Sequence, residues 1–322
     1  MPKSEAADRA DSFVSHDFKE NIVDLGEIRM NYVVQGNKKS PALLLIPAQG
    51  ESWWGYEAAI PLLAKHFQVF AIDLRGQGRT TWTPGRYTLD IFGNDVVRFI
   101  DLVIGRETLI AGNSSGGLIG AWLAAFAKPG QVRAVMLEDP PLFASEIRPP
   151  YGPGIWQGLG PMFAAWAKWL GPQWSIGDWD GMVKALPDEL PEDLLPGIGF
   201  MLGDGESDGA APTPPQHLKE YDPEWGASWA SGFANTGCEH EAVISQVRVP
   251  VLLTHHFRQI NEETGHLMGA LSDLQAAQVR HIIEEVAGQE VTYVSLDAPH
   301  TMHEPQPERY TDVLLDWVKK LG

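Results

Sequence analysis

A single cysteine, Cys238, in 322 residues leaves nothing to pair with inside the chain, so no internal disulfide can brace it. That usage fits a reducing compartment, and a cytoplasmic location is expected. No apolar run approaches the length needed to span a bilayer. The start, "MPKSEAADRADSFVSHDF", lacks the apolar stretch of a secretory signal and reads as a flexible leader over 1–18. Positive charge is scarce: 24 Lys and Arg against 42 Asp and Glu give a formal net charge of −18. Nucleic acid and anionic membrane would repel such a surface and are excluded as expected partners.

What is present is a core-forming composition, 44% hydrophobic, with 33 glycines and 12 tryptophans. From about 20 to 140, short β-rich runs alternate with helical stretches. "IRMNYVVQG", "ALLLIPA", "FQVFAIDLRG", "ETLIAGN" and "VRAVMLED" read as strands. "YEAAIPLLAKHF", "LDIFGNDVVRFIDLVI" and "GGLIGAWLAAFAKPG" read as helices between them. Strands without polar alternation, separated by helices, predict an α/β protein whose parallel sheet is covered on both faces.

Near 140 the pattern breaks. Up to about 245 there is no clear strand, and Trp156, Trp166, Trp169, Trp174, Trp179, Trp225 and Trp229 punctuate short helices. The stretch around 188–211 reads as a long loop. Alternation resumes with "VPVLLTHH", "SDLQAAQVRHIIEEV", "EVTYVSLDA" and "ERYTDVLLDWVKKL". The expected division is therefore core at 19–141, a helical Trp-rich cap at 142–245, and core again at 246–322.

The chemistry gathers at "AGNSSGGLIG". Gly112-Asn113-Ser114-Ser115-Gly116 fits G-x-S-x-G between an apolar strand and an Ala/Leu-rich helix. Ser114 has glycine two places to either side and is the candidate nucleophile. A serine hydroxyl needs a base, and "SLDAPHTMHEPQPERY" offers His300, just past the last strand, with His303 three residues on. His300 is favoured because it comes first after the strand. The acid usually follows the penultimate strand, but "VPVLLTHHFRQINEE" carries no carboxylate before Glu262. The preceding strand ends in Glu138 and Asp139, so Glu138 is chosen, with Asp139 in reserve. Oxyanion donors are expected from the backbone N–H groups of Gln49 and Ser115. Trp53, Trp54, Tyr221 and Trp225 are candidate substrate contacts. No metal or organic cofactor is implied.

With these residues placed, the chain resembles the α/β-hydrolase superfamily over nearly its whole length. "DLRGQGRT" resembles its D-x-R-G-x-G-x-S turn, and His300 with Pro307 keeps its usual offset of seven. The resemblance implies a mostly parallel eight-stranded sheet with helices on both faces, and a serine where the epoxide hydrolase and dehalogenase branches generally carry aspartate. More narrowly, "GNSSGG", "SWWGYE", "WSIGDW", "LKEYDPEWG" and "GALSDLQA" resemble the bacterial zearalenone hydrolases. This implies opening of a macrocyclic resorcylic lactone through an acyl-enzyme, a glutamate acid 24 residues beyond the serine, and a possible homodimer. A carboxylesterase, a carbon–carbon hydrolase, or a hydrolase-fold ligand receptor are the alternative readings.

Overall fold

The structure, a computed structural model, describes residues 13–155, 160, 163–164, 167–168, 216–263 and 265–321. The expected loop at 188–211 and five of the cap tryptophans (Trp156, Trp166, Trp169, Trp174 and Trp179) lie outside them.

Apolar runs with no polar alternation become the interior strands, as burial on two faces demands. β3 (Ala42–Ile46), β4 (Gln68–Ile72), β5 (Thr108–Asn113) and β7 (Val251–His255) are buried at every position. β6 (Val132–Glu138) is buried at all but one position. With β1 (Glu20–Asp24), β2 (Arg29–Gln35) and β10 (Val291–Ser295) they form one eight-stranded sheet. Its order is β1-β2-β4-β3-β5-β6-β7-β10, with antiparallel pairing only at β1–β2 and β2–β4. The α/β-hydrolase fold expected from the sequence is present.

Two apolar clusters lie on opposite faces of the sheet. One holds α2 (Leu89–Phe99) and α3 (Ser115–Phe126) against Leu44, Ile110 and Leu137. The other holds α1 (Ile60–Leu63) and the C-terminal helix, here α8 (Pro307–Val318), against Leu43, Leu45 and Met136. Eleven of the residues in α3 are buried, because this helix is covered by the sheet on one side and by α2 on the other. The α2–α3 crossing is close: a Cβ at Gly93 would sit 2.1 Å from the ring of Trp122.

Between them come α4 (Gln216–Lys219), α5 (Pro223–Ala230), α6 (His240–Ile244) and α7 (Asp273–His281). The start of α7 is written in "SDLQ": Ser272 accepts from the backbone N–H of Gln275, whose side chain accepts from Ser272 N–H. This reciprocal cap satisfies two otherwise orphaned donors.

Three elements depart from the expected pattern. β1 is not among the strands expected from the sequence, although "ENIVD" pairs with β2 over five residues. "YEAAIPLLAKHF", expected as one helix, follows a 3-10 turn at Trp53–Tyr56 and forms only the short α1. After β7 the chain makes an antiparallel hairpin, β8 (Arg258–Ile260) and β9 (Leu267–Gly269), in place of a plain loop.

Because β3, β5, β6, β7 and β10 run parallel, the segments following them all emerge at one edge of the sheet. Among the described residues no helix is long and apolar enough to cross a membrane.

Candidate active site

Ser114 stands between the end of β5 and the start of α3, with φ 52° and ψ −119°. A non-glycine residue is rarely held there, and such strain persists only where the surroundings fix it. The glycines make it possible by permitting contact, not by their own dihedrals. A Cβ on Gly112 would lie 2.2 Å from Gly116 O, and one on Gly116 would lie 2.3 Å from Ile46 O. The turn is thus pressed against the end of β3, and Ser114 N–H donates to Glu138 O at 2.8 Å, tying it to β6.

The two carboxylates ending β6 take different partners. Asp139, itself at φ 44°, places Oδ2 2.6 Å from His300 Nδ1 and accepts His256 N–H on Oδ1 at 3.0 Å. Glu138 is paired instead with His303, through Oε2 to Nδ1 at 2.8 Å and through Oε1 to its backbone N–H at 3.2 Å. The expected Glu138–His300 pair is therefore not formed. The reserve acid meets the favoured histidine, and the favoured acid meets the other one. The reason is geometric: Glu138 is the last extended residue of β6, whereas Asp139 turns to φ 44°, so the two side chains leave the strand end in different directions.

His300 and Ser114 line one cavity of ≈ 240 Å³ with Pro141, Ile155, Phe257, Gly269 and Ala270. Since Asp139 accepts at Nδ1, that nitrogen carries the proton, and Nε2 is left as the basic atom of the neutral ring. Partial loss of water opposes the charged imidazolium, whose side chain stays 45% exposed, but the Asp139 hydrogen bond and the nearby carboxylates outweigh it and hold the His300 pKa above its usual value. For Asp139, burial pulls upward and is outweighed by His300, so its carboxyl titrates below the ordinary range. His300 is also anchored through its backbone, whose O accepts from Asn113 Nδ2 at 2.9 Å.

The expected oxyanion donors lie on the two segments that Gly116 brings together. Neither Gln49 N–H nor Ser115 N–H has an acceptor among the described residues. Ser115 opens α3, where unpaired N–H groups and the helix dipole favour negative charge.

None of the four residues expected to touch substrate is among those lining this cavity. Trp53 is fully buried and donates from Nε1 to Glu20. Trp54 donates to Glu220 Oε2. Tyr221 accepts from Gln49 Nε2 at 2.6 Å, and Trp225 donates to Arg75 O beneath α5. Their polar atoms explain why these rings are held where they are: a buried indole or phenol needs a partner. The cavity wall that sequence reasoning missed is the hairpin side, Phe257, Gly269 and Ala270. "RQINEETGHLMG" held the signal, two short runs around a polar loop containing Gly.

A family profile described as alpha/beta hydrolase fold matches residues 41–168. The match spans under half of the chain, and the α/β-hydrolase fold it describes is the one seen here. Among curated proteins, the chain is 31% identical over 121 residues to bifunctional epoxide hydrolase 2 of Sus scrofa, covering 37% of this chain and 21% of that one. It is 30% identical over 98 residues to 3-oxoadipate enol-lactonase 2 of Acinetobacter baylyi, covering 30% of this chain and 37% of that one. The matches thus span well under half the length of these relatives. Among solved structures, the chain is similar to the epoxide hydrolase CorEH, with TM-score 0.66, 17% identity and coverage of 95% and 100%. It is similar also to the enol-lactonase of Burkholderia xenovorans, with TM-score 0.62, 18% identity and coverage of 93% and 100%.

Proposed function

We propose that this α/β hydrolase cleaves a carboxylic ester or lactone through an acyl-serine intermediate, with Ser114 as nucleophile, His300 as base and Asp139 as acid. The observation that carries the reading is the cavity shared by Ser114 and His300, with His300 oriented by Asp139 at 2.6 Å. His300 Nε2 takes the Ser114 proton as Oγ attacks the carbonyl carbon. The tetrahedral oxyanion is met by the N–H groups of Gln49 and Ser115, each such donor lowering the barrier by about 2.7–4 kcal/mol in comparable sites. His300 returns the proton to the leaving alkoxide, and then takes one from the water that releases the acid. In a lactone the alkoxide stays tethered, so one molecule leaves where two would leave from an open ester.

Pro141, Ile155, Phe257 and Ala270 make the cavity wall apolar, which supports an uncharged, hydrophobic group next to the reacting carbonyl. Similarity to a lactonase and the sequence phrases that resemble zearalenone hydrolases make a macrocyclic resorcylic lactone the first substrate to try. Epoxide opening is disfavoured by the nucleophile itself. Attack by a serine oxygen on an epoxide carbon leaves an ether, which water does not readily cleave, whereas a carboxylate would leave an ester.

The test is incubation with a fluorophosphonate, followed by peptide mapping, beside turnover of neutral aryl esters and of zearalenone. Labelling at Ser114 with ester turnover is expected. No label at Ser114 would overturn the reading, and aryl-ester turnover without lactone turnover would remove only the macrocycle.

A further inference from the structure

Glu138 and His303 are both fully buried, and neither belongs to the proposed triad. Burying a charged pair seldom stabilises a fold better than an apolar pair of the same size would, so their presence beside the site calls for another cause. The geometry supplies one. Glu138 holds His303 by two bonds at once, from Oε1 to its backbone N–H and from Oε2 to its ring. Three residues earlier in the same loop, the backbone O of His300 is held by Asn113 Nδ2, which also donates to Glu138 O at 3.3 Å. The His303 ring is fixed face-on to Tyr56, with centroids 3.9 Å apart, and edge-on to Tyr310. Its Nε2 is buried, makes no hydrogen bond, and faces Glu51 Oε2 at 3.9 Å.

We infer that Glu138 and His303 form a second imidazole–carboxylate pair that positions the loop carrying His300. Glu138 is then a positioning residue and not the catalytic acid, and Asn113 and Glu138 together fix both ends of the 300–303 segment. This rests on the triad proposed above. Glu138 also acts on His300 at a distance. The groups facing the two imidazoles are Asp139 and Glu138 from β6, Glu51 from the loop after β3, Glu304 beside His303, Tyr56 and Tyr310, with His256 beyond Asp139. The carboxylates among them favour protonated His300, so neutralising Glu138 should make that proton easier to lose.

The experiment compares Glu138→Gln, His303→Gln and Asp139→Asn for kcat, KM and the pH profile of kcat/KM on a neutral aryl ester. Fluorophosphonate labelling of Ser114 in the wild type is measured alongside. Glu138→Gln is expected to lower kcat about 10- to 100-fold, the size seen when outer partners that orient an imidazole are removed at metal sites. KM should stay within about twofold, as expected when only transition-state stabilisation is lost. The acidic limb should move to lower pH. His303→Gln should reproduce the kcat loss, and Asp139→Asn should cost about 10⁴-fold. A loss near 10⁴-fold for Glu138→Gln with Asp139→Asn nearly active would make Glu138 the acid and overturn the inference. So would a Glu138→Gln variant with unchanged kcat and pH profile, which would reduce the pair to packing. Failure of Ser114 to label in the wild type would sink the triad itself, a distinct outcome.

Discussion

At the scale of single residues, the decisive fact is that Asp139 and Glu138, neighbours in the chain, address different imidazoles. Replacing Ser114 by Ala removes the proposed nucleophile, and ester turnover should fall by about 10⁴-fold or more while a residual rate from the oxyanion donors survives. The protonation of His300 sets a pH dependence whose sign is fixed. The base must be neutral to act, and its carboxylate neighbours keep it protonated to higher pH than a free imidazole. The kcat/KM profile should therefore climb with pH along a limb whose midpoint lies above 6.5, as measured on a substrate with no titrating group. Ser114 and His300 could be read from local sequence because a strand–turn–helix and a loop after the last strand are local patterns. The acid could not. Whether Glu138 or Asp139 faces His300 depends on side-chain direction at the end of β6, and in one dimension the two residues differ by a single place.

Among elements, the tight turn between β5 and α3 and the short helix α6 lend themselves to test. Gly112→Ala pushes a methyl into the backbone oxygen of Gly116, with no flexible side chain to give way. It should destabilise the protein clearly more than Gly105→Ala, where open space leaves only the positive φ, worth about 1–2 kcal/mol. Urea midpoints of the two variants make the comparison. His240 at the start of α6 accepts the N–H of Phe143 on Nδ1 at 2.8 Å and is fully buried, and burial drives its pKa down to about 3. A histidine that charges only in the unfolded chain stabilises the fold fully above pH 6.5, and this stability drains away as pH falls toward 3. By pH 5 the loss from this group should be about 2 kcal/mol. A His240→Gln variant should flatten that part of the urea-midpoint-against-pH curve. The strands β2 to β7 and β10 were legible because unbroken apolar runs have few other uses. β1 and the β8–β9 hairpin were not, since a polar edge strand and a three-residue ladder bury too little to leave a periodic trace.

For the molecule as a whole, the formal charge of −18 sets which substrates are welcome. Long-range repulsion is screened over about 10 Å at 0.1 M salt. Raising sodium chloride from about 20 to about 200 mM should therefore increase kcat/KM for an ester bearing a free carboxylate and leave that for a neutral ester nearly unchanged. Equal salt response of both would show that the overall field does not reach the cavity.

The acid's place on β6 has an effect on the next loop along the sheet. With Asp139 supplying the carboxylate, the turn following β7 owes the proton relay only one backbone N–H, that of His256. Beyond that point the chain was at liberty to grow β8 and β9, whose Gly269, with neighbouring Ala270 and Phe257, shapes the chamber over Ser114. On the proposed triad, reaction and selectivity sit on separate strands, so exchanging the hairpin should change which guest is accepted while the nucleophile, its base and their carboxylate remain undisturbed.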